Sequence, residues 1–332
     1  MIVISASGNK RMLIRRRKFV TRAHSSGFSL IELMMALALG LVITWSVLEV
    51  SLSSLRSSQT LNNSSEINET GRYLTQFLQK EISMAGFLGR LTDIPSKSTS
   101  PSRWMCRPVM KWDDLTFSID GLNDMSGTDS LCDTSFQPLA GSDVLMIRRT
   151  SSKEIVYSNP LNPDSYYLQA KTGTENSVTD IDTVVRIALG SWDNFPLLEM
   201  DATTRMPIYR YLHSFYFIDQ NNTFRTMSRE DGAWISEPIA NSVVDFQVEY
   251  GIDTNDDNVA DKIGFPANRD EWQALISVKI SLLVSGAMPQ IVASDTSFFY
   301  AGNTSSFTND RFKRRLFVSV TEPTNLTMRL GD

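Results

Sequence analysis

The sequence predicts an α+β fold in which one long N-terminal helix packs against an antiparallel β-sheet domain. Residues 28–50 form an apolar run of helical length, and beyond Gly89 the chain changes to short alternating segments of strand composition. The composition is that of a folded protein, since 42% of the 332 residues are hydrophobic and 21% are charged. At this length the chain has room for more than one folding unit.

The apolar run from Leu33 to Leu48 reads LMMALALGLVITWSVL. Because it is rich in Leu, Met and Ala and contains no proline, we predict a helix. Residues 28–50 are sufficient to cross a bilayer core, which takes about 20 helical residues. Basic residues precede the run, so the positive-inside rule places residues 1–27 in the cytoplasm and the long remainder outside it.

Helical spacing returns further along the chain, which suggests that the helix continues beyond the membrane. One face is marked by apolar residues at steps of three or four, namely Leu74, Phe77, Leu78, Ile82 and Ala85. Glycines suit the end of this helix at Gly86 and Gly89. A single helix from Phe28 to Gly86 would be about 90 Å long. Ser57–Gly71 is polar and rich in Ser and Asn, so the alternative is a melted section, or a loop that joins two helices.

The C-terminal part has the composition of a β-rich domain with few helical signals. The predicted strands are Val144–Ile147, Ile155–Tyr157, Tyr166–Leu168, Val184–Leu189, Ile208–Ile218, Phe224–Met227, Val243–Tyr250, Leu275–Val284 and Leu316–Val320. Residues 219–223 are polar and predict the turn of a hairpin. Thr92–Pro101 is the predicted linker between the helical and the β-rich parts.

The net charge of −5 is unevenly distributed along the chain. Seven of the 32 Lys and Arg residues lie in residues 1–27, which contain no Asp or Glu. The remaining 25 basic residues face 37 acidic ones, a balance of −12 that disfavours a nucleic-acid partner. The densest basic pair near the C terminus is Arg314 and Arg315. A solvated strand end explains this pair better than a site for polyanions.

The two cysteines, Cys106 and Cys132, are too few for a zinc site. Such a site needs about four ligands, and the only histidines are His24 and His213. Outside the cytoplasm a disulfide between the two cysteines is the economical interpretation. The alternative is a pair of buried, unpaired thiols.

A run of oxygen-bearing residues near the C terminus has the spacing of a calcium loop. Alternate positions are occupied by Asp253, Asn255, Asp257, Val259 and Asp261, which match positions 1, 3, 5, 7 and 9. Two features oppose Ca²⁺ binding: Asn258 replaces the turn glycine, and Gly264 stands where a bidentate carboxylate is expected. The alternative is a polar β-turn held by hydrogen bonds from Asp and Asn side chains.

No catalytic motif is found in the sequence. His213 lies within the aromatic strand YRYLHSFYF, where a packed imidazole is a better interpretation than a general base. The sequence also lacks a phosphate-binding glycine loop and a nucleophile motif. We therefore predict that the protein is not an enzyme.

Glu32 stands near the start of the apolar run, where a membrane penalises a charge. The penalty is smaller there than at the centre of a spanning helix, and the positive end of the helix dipole offsets part of it. The carboxylate either reaches the headgroups beside the basic leader or serves a function that requires a partner.

Residues from Gly27 to Glu32 read G-F-S-L-I-E and directly precede the apolar run. This arrangement resembles the class III signal of type IV prepilins and type II secretion pseudopilins. In that family a membrane peptidase cuts after the glycine and methylates the new amino-terminal phenylalanine. The resemblance implies cleavage after Gly27, N-methylation of Phe28 and intersubunit pairing by Glu32. The long leader starts at Met1 or, in better agreement with the family, at Met12.

Further stretches resemble PilW-type minor pilins. One is GRYLTQFLQKEISMAGFLGR at residues 71–90, where the family's long helix runs into a glycine-containing turn. The others are VEYGIDTNDDNVADKI at 248–263 with EWQALISVKISLLV at 271–284, and NDRFKRRLFVSVT at 309–321. Residues 322–325 depart from the leucine-arginine-asparagine ending that the family leads us to expect.

The resemblance implies a type IV pilin-like fold with four regions. These are a basic cytoplasmic leader (1–27), a transmembrane helix that becomes filament core (28–50), a periplasmic amphipathic helix (51–89) and a β-rich globular domain (90–332).

The function implied by the resemblance is that of a minor pilin, a structural subunit that primes or promotes assembly of the type IV pilus near its tip. Expected partners are other minor pilins, the major pilin, the prepilin peptidase and the assembly platform of the inner membrane. The protein would first span the inner membrane once, with its C-terminal domain in the periplasm, and later enter the pilus. Such pili support twitching motility, adhesion or DNA uptake. The alternatives are a large type II secretion pseudopilin and a tip adhesin or binding module.

Overall fold

The computed structural model describes residues 27–91, 117–127, 131–132, 136–171, 185–199, 201–230, 233–290 and 292–325. The chain divides into two compact units, residues 1–57 and 58–332. Helix α1, Leu30–Ser83, contributes residues to both.

The described part of the first unit is helical from Leu30 onwards, and all of its residues from 27 to 57 are exposed. Its most apolar 18-residue window has a mean hydropathy of 2.1, so its length and composition suffice to cross a membrane. The hydroxyls of Thr44 and Ser46 donate to the carbonyl oxygens of Gly40 and Val42, at 2.7 and 2.9 Å. These bonds within the helix satisfy polar groups that would otherwise be costly in lipid.

The second unit begins with the remaining part of α1, and the helix is continuous through the polar stretch. The alternative of a melted section or loop at Ser57–Gly71 is therefore wrong. Three polar side chains of the stretch bond to the β-rich part. Asn63 exchanges two hydrogen bonds with the backbone of Met288, Ser64 accepts from Lys313, and Asn68 accepts from Arg315.

Helix α1 ends at Ser83, three residues before the predicted end. The chain then turns through Gly86 and Gly89, whose φ angles of 75° and 66° favour glycine. A Cβ at Gly89 would lie 2.5 Å from the ring of Tyr209, so this turn also requires the small residue for packing. The Gly86 amide donates to the Arg148 carbonyl oxygen at 3.0 Å and ties the turn to the sheet.

The β-rich part contains two larger antiparallel sheets and a separate ribbon among the described residues. The first sheet comprises β1 (Ile119–Leu122), β2 (Val144–Ile155), β3 (Tyr166–Ala170), β4 (Val185–Leu189), β5 (Ile208–Ile218), β6 (Phe224–Glu230) and β7 (Ala233–Ala240). Its order is β1-β2-β5-β3-β4, with β6 paired to both β5 and β7.

The second sheet has the order β13-β10-β8-β9. Its strands are β8 (Val243–Ile252), β9 (Lys262–Gly264), β10 (Leu275–Ser285) and β13 (Arg314–Thr321). The ribbon consists of β11 (Ser294–Tyr300) and β12 (Asn303–Asp310), and a five-residue helix α2, Arg269–Gln273, precedes β10. Together with α1, the sheets confirm the predicted α+β, pilin-like fold.

The main core lies between the helix and both larger sheets. From the helix it takes the fully buried Leu74, Leu78 and Ile82, which the sequence predicted as the apolar face. The sheets supply residues such as Ile147 and Ile280. Burial of large apolar side chains, at about 1.5–3 kcal/mol each, makes this interface the main contribution to the stability of the second unit.

The predicted strands recur in the structure, with one correction: Ile155 ends β2, so Ile155–Tyr157 is not a separate strand. The sequence missed β1, β7, β9, β11 and β12. These strands are short, contain Gly or Pro, or, like β11 and β12, are mostly polar and bury few side chains. The predicted linker Thr92–Pro101 lies outside the described residues.

Candidate functional site

The first candidate site is the start of α1. Gly27, Phe28 and Ser29 precede the helix in irregular conformation, and the first backbone bond runs from the Leu33 amide to the Ser29 carbonyl oxygen at 3.1 Å. A Cβ at Gly27 would meet nothing within 4 Å, and Phe28 is 84% exposed. The described part of this segment, Gly27 to Ser29, is therefore exposed.

Glu32 is exposed in the first turn of α1. At this position the unsatisfied backbone amides and the positive end of the helix dipole favour a negative charge. The structure thus places Gly27, Phe28 and Glu32 together at one helix terminus. Cleavage, methylation and intersubunit pairing at these residues stay predictions.

A largely buried ion pair joins α1 to the first sheet at the opposite end of the helix. Glu81 accepts two hydrogen bonds from the guanidinium of Arg149, both at 3.0 Å, and one from the hydroxyl of Tyr216 at 3.1 Å. The ion-paired side chains are only 16% and 12% exposed. Burial, and then the Glu81 charge, raise the pKa of Tyr216, so its hydroxyl stays a donor. The sequence did not predict this ion pair. The one local indication of it was the carboxylate of Glu81 beside the apolar face of α1.

Strand β13 packs along α1 through alternate side chains. Arg315 donates to Asn68 at 2.5 Å, Phe317 covers Gly71, and Ser319 accepts from Gln79 at 2.6 Å. Arg314, the neighbour of Arg315, pairs with Asp310 and stacks 3.8 Å from the ring centroid of Phe307. The basic pair therefore lies at the start of β13, as predicted, but only Arg315 is solvated, since the Arg314 side chain is 11% exposed.

The predicted calcium loop is stabilised by hydrogen bonds from its own backbone amides to its Asp side chains. Both carboxylate oxygens of Asp253, a buried residue, accept from amides: Oδ1 from Asn255 at 3.1 Å and Asp257 at 3.3 Å, and Oδ2 from Asn258 at 2.7 Å. Asp257 in turn accepts from the Val259 amide at 2.8 Å. The positive φ of Asn258, 64°, is one that asparagine tolerates.

The end of the loop is stabilised in the same way. Asp261 Oδ2 accepts from the amide and hydroxyl of Thr254, at 2.9 and 2.8 Å, and these bonds lower the pKa of Asp261. Within the described ranges, no group of three or more His, Cys, Asp or Glu side chains has an arrangement that could hold a metal. The geometry favours the polar turn, and Ca²⁺ binding at these residues stays untested.

Of the two cysteines, Cys106 lies outside the described residues, so the disulfide stays a prediction. Cys132 lies at the edge of a small apolar cluster around Phe215 and Met227, on a face of the first sheet.

The only described histidine, His213, is a core residue. Its ring packs against Phe215 and Trp234 with centroids 5.0 and 5.2 Å away. Burial first, and then the charges of Arg148 and Arg229, lower the pKa of His213 well below its usual value. This position agrees with a packed imidazole and offers no access to a substrate.

Two family models match the chain. The model described as "Type IV Pilus-assembly protein W" matches residues 215–325, and the "Prokaryotic N-terminal methylation motif" matches residues 22–48. The first covers the last four residues of β5 and all of β6 to β13; the second covers the start of α1 with Gly27, Phe28 and Glu32. No curated protein and no solved structure gives a match.

Proposed function

We propose that this chain, which its family matches identify as a type IV minor pilin of the PilW type, promotes the start of pilus assembly and lies near the pilus tip. The observation that carries the proposal is the apolar first part of α1, with Glu32 in its first turn directly after Gly27 and Phe28. The methylation motif and the apolar helix support anchoring in a membrane before assembly.

Cleavage after Gly27 would leave a positive amine on Phe28, at the start of a helix in apolar surroundings. An unpaired charge there is costly, and so is the carboxylate of Glu32. When Glu32 of one subunit pairs with the amine of its neighbour, the two costs offset one another in the assembled filament. The segment would thus be a membrane anchor before assembly and part of the filament core afterwards.

The partners that this function requires are the prepilin peptidase, the assembly platform of the inner membrane, the other minor pilins and the major pilin. The β-rich unit would lie in the periplasm and later at the cell surface. The size of the β-rich domain supports a low-copy position near the tip. A globular domain of more than 200 residues would be difficult to accommodate at every position of a thin fibre. Retention of Glu32 further suggests a neighbour above this subunit in the stack.

Deletion of the gene, complemented with the wild-type chain or with Glu32→Ala, tests the proposal. We expect deletion to abolish or strongly reduce surface pili. The Glu32→Ala chain should still be cleaved after Gly27, but should be recovered from sheared pili at least tenfold less than wild type. Immunoblots of membrane and sheared fractions measure both properties.

Glu49→Ala is the matched control, because Glu49 also lies in α1 but at the far end of the apolar run. This variant should enter pili at the wild-type level. Normal piliation after deletion would contradict the role in assembly, and normal incorporation of Glu32→Ala would contradict the pairing.

A further inference from the structure

A polar cleft of about 500 Å³ opens on the second unit where β2 ends. One wall is formed by the residues at and after the end of β2, and the other by residues 198–199 and 203–205. The volume lies within the range of small-molecule sites, roughly 300–1,000 Å³. The cleft is far along the chain from the methylation motif, and the proposed assembly function does not use it.

An exposed aromatic residue stands at the mouth of the cleft in a fixed orientation. Tyr157 is 52% exposed, the guanidinium of Arg205 lies 4.6 Å from its ring centroid, and Trp192 meets it edge to face at 5.1 Å. Arg205 is itself held by a 2.6 Å hydrogen bond to the Trp192 carbonyl oxygen. Beside the ring, Val156 adds a half-exposed apolar side chain to the same wall. This wall therefore presents an aromatic ring and an aliphatic side chain, with the Arg205 guanidinium over the ring.

The polar side of the cleft is a chain of alternating charges. Arg90 lies between Glu199, at 2.8 Å, and Glu154, at 3.5 Å, and these three side chains are between 31% and 48% exposed. The hydroxyl of the buried Tyr209 supports Glu154 at 3.4 Å. Carboxylates and a guanidinium in one row offer both acceptors and donors to a ligand. Together with Arg205, the two carboxylates and two guanidiniums of the cleft cancel in formal charge.

On the opposite wall, residues 201–204 are held by hydrogen bonds among themselves. Asp201 accepts from the amides of Thr203 and Thr204 and from the Thr204 hydroxyl, at distances between 2.6 and 2.9 Å. A β-bridge between Leu198 and Arg205 closes the base of the loop. A rigid site loses less entropy on binding than a mobile one.

We propose that this cleft binds a neutral saccharide. The hydroxyls of a sugar would bond to Glu154, Glu199 and Arg90, and its apolar C–H face would pack on Tyr157 and Val156. An anionic ligand fits less well because both arginines are already engaged, Arg90 by two carboxylates and Arg205 by a carbonyl oxygen and a ring. A simple cation fits less well because the two carboxylates share Arg90.

Saturation-transfer NMR on the full chain tests the proposal, with a detergent that carries no sugar headgroup. The probes are maltose, cellobiose and N,N′-diacetylchitobiose as neutral saccharides, and sialyllactose as an acidic one. We expect at least one neutral disaccharide to bind, and Tyr157→Ala and Glu199→Gln each to weaken its affinity at least tenfold. Phe299→Ala and Glu237→Gln remove an exposed ring and an exposed carboxylate elsewhere, and should leave the affinity within twofold of wild type.

Three results would overturn the saccharide site: no binding of any neutral probe, tighter binding of sialyllactose, or unchanged affinity in both cleft variants. Thermal unfolding of the variants excludes loss of the fold as the cause of lost binding. The cleft variants should also restore surface pili to the deletion strain. A failure of the saccharide proposal is therefore distinguishable from a failure of the assembly function.

Discussion

At the scale of single residues, the second unit places several titratable groups in its interior, and their environments decide which protonation state is present. His213 is neutral because burial disfavours its charged form, whereas the Glu81–Arg149 pair is held by bidentate geometry and by the Tyr216 hydroxyl. Asp143 is the residue most open to test. Its carboxylate accepts from the amides of Asp124 and Val248, at 2.9 and 2.7 Å.

Asp143 should make the protein less stable as the pH rises from about 4 to about 7. Burial raises the pKa of Asp143 to about 7, opposed by the two amide bonds, while the nearby carboxylates of Asp124 and Asp245 raise it further. In the unfolded chain the group titrates near its ordinary pKa of about 4. Between these values the folded state binds the additional proton, so stability is lost as the pH increases, by roughly 2–3 kcal/mol from pH 5 to 8.

Urea unfolding of wild type and Asp143→Asn at pH 5 and pH 8 measures this effect. The Asp143→Asn variant should be less stable than wild type at pH 5, because the amide nitrogen replaces an oxygen that accepts a backbone hydrogen bond. Its free energy of unfolding should depend less on pH than that of wild type. Asp124→Asn changes an exposed neighbour and should retain most of the wild-type slope. Equal slopes for wild type and Asp143→Asn would show that Asp143 does not titrate in this range.

At the scale of elements, the contact between α1 and β13 explains why a polar stretch stays helical. The sequence Ser57–Gly71 has weak helical preference, but three of its polar side chains bond to the β-rich part. Asn63 both donates to and accepts from the Met288 backbone, and Ser64 and Asn68 accept from Lys313 and Arg315. Tertiary contacts thus override local propensity. The closest approach occurs at Gly71, where a Cβ would lie 2.1 Å from the ring of Phe317.

Gly71→Ala should destabilise the second unit by about 1–3 kcal/mol, because the methyl group forces the Phe317 ring out of its place. Thermal unfolding of the full chain measures the loss. Gly40→Ala makes the same change in the same helix, where a Cβ meets nothing within 4 Å, and should leave the transition unchanged. If both variants unfold at the wild-type temperature, the helix is not packed as closely on β13 as described.

At the scale of the whole molecule, the sequence predicted those elements that have a local pattern of apolar residues. The apolar run, the face with Leu74, Leu78 and Ile82, and the long strands β5 and β10 all have a clear period, and all are found. The grouping Gly27, Phe28 and Glu32 was also found from the order of residues alone. In contrast, the partners of Glu81 and Asn63 are distant in the chain, so no local pattern predicts them.

The same distinction applies to the ribbon and to the cleft. The strands β11 and β12 pair with each other, and exposed residues alternate in them with partly buried ones. Neither strand therefore has the buried apolar face that would predict it from the sequence. The cleft brings together Arg90, Glu154 and Glu199, which lie on three separate segments, and only the fold makes them neighbours.

Residues 58–332 should fold without the first unit, because the four apolar clusters found among the described residues lie within this range, whereas residues 27–57 are all exposed. We expect a chain that starts at Ser58 to unfold cooperatively. A chain that starts at Met84 should not, since it lacks Leu74, Leu78 and Ile82 and leaves Arg149 without Glu81, at a cost of several kcal/mol for each such defect. Near-ultraviolet circular dichroism during heating distinguishes the two chains. A cooperative transition in the chain that starts at Met84 would show that the sheets form a core without the helix. The absence of a transition in the chain that starts at Ser58 would show that the membrane segment contributes to the fold of the β-rich unit.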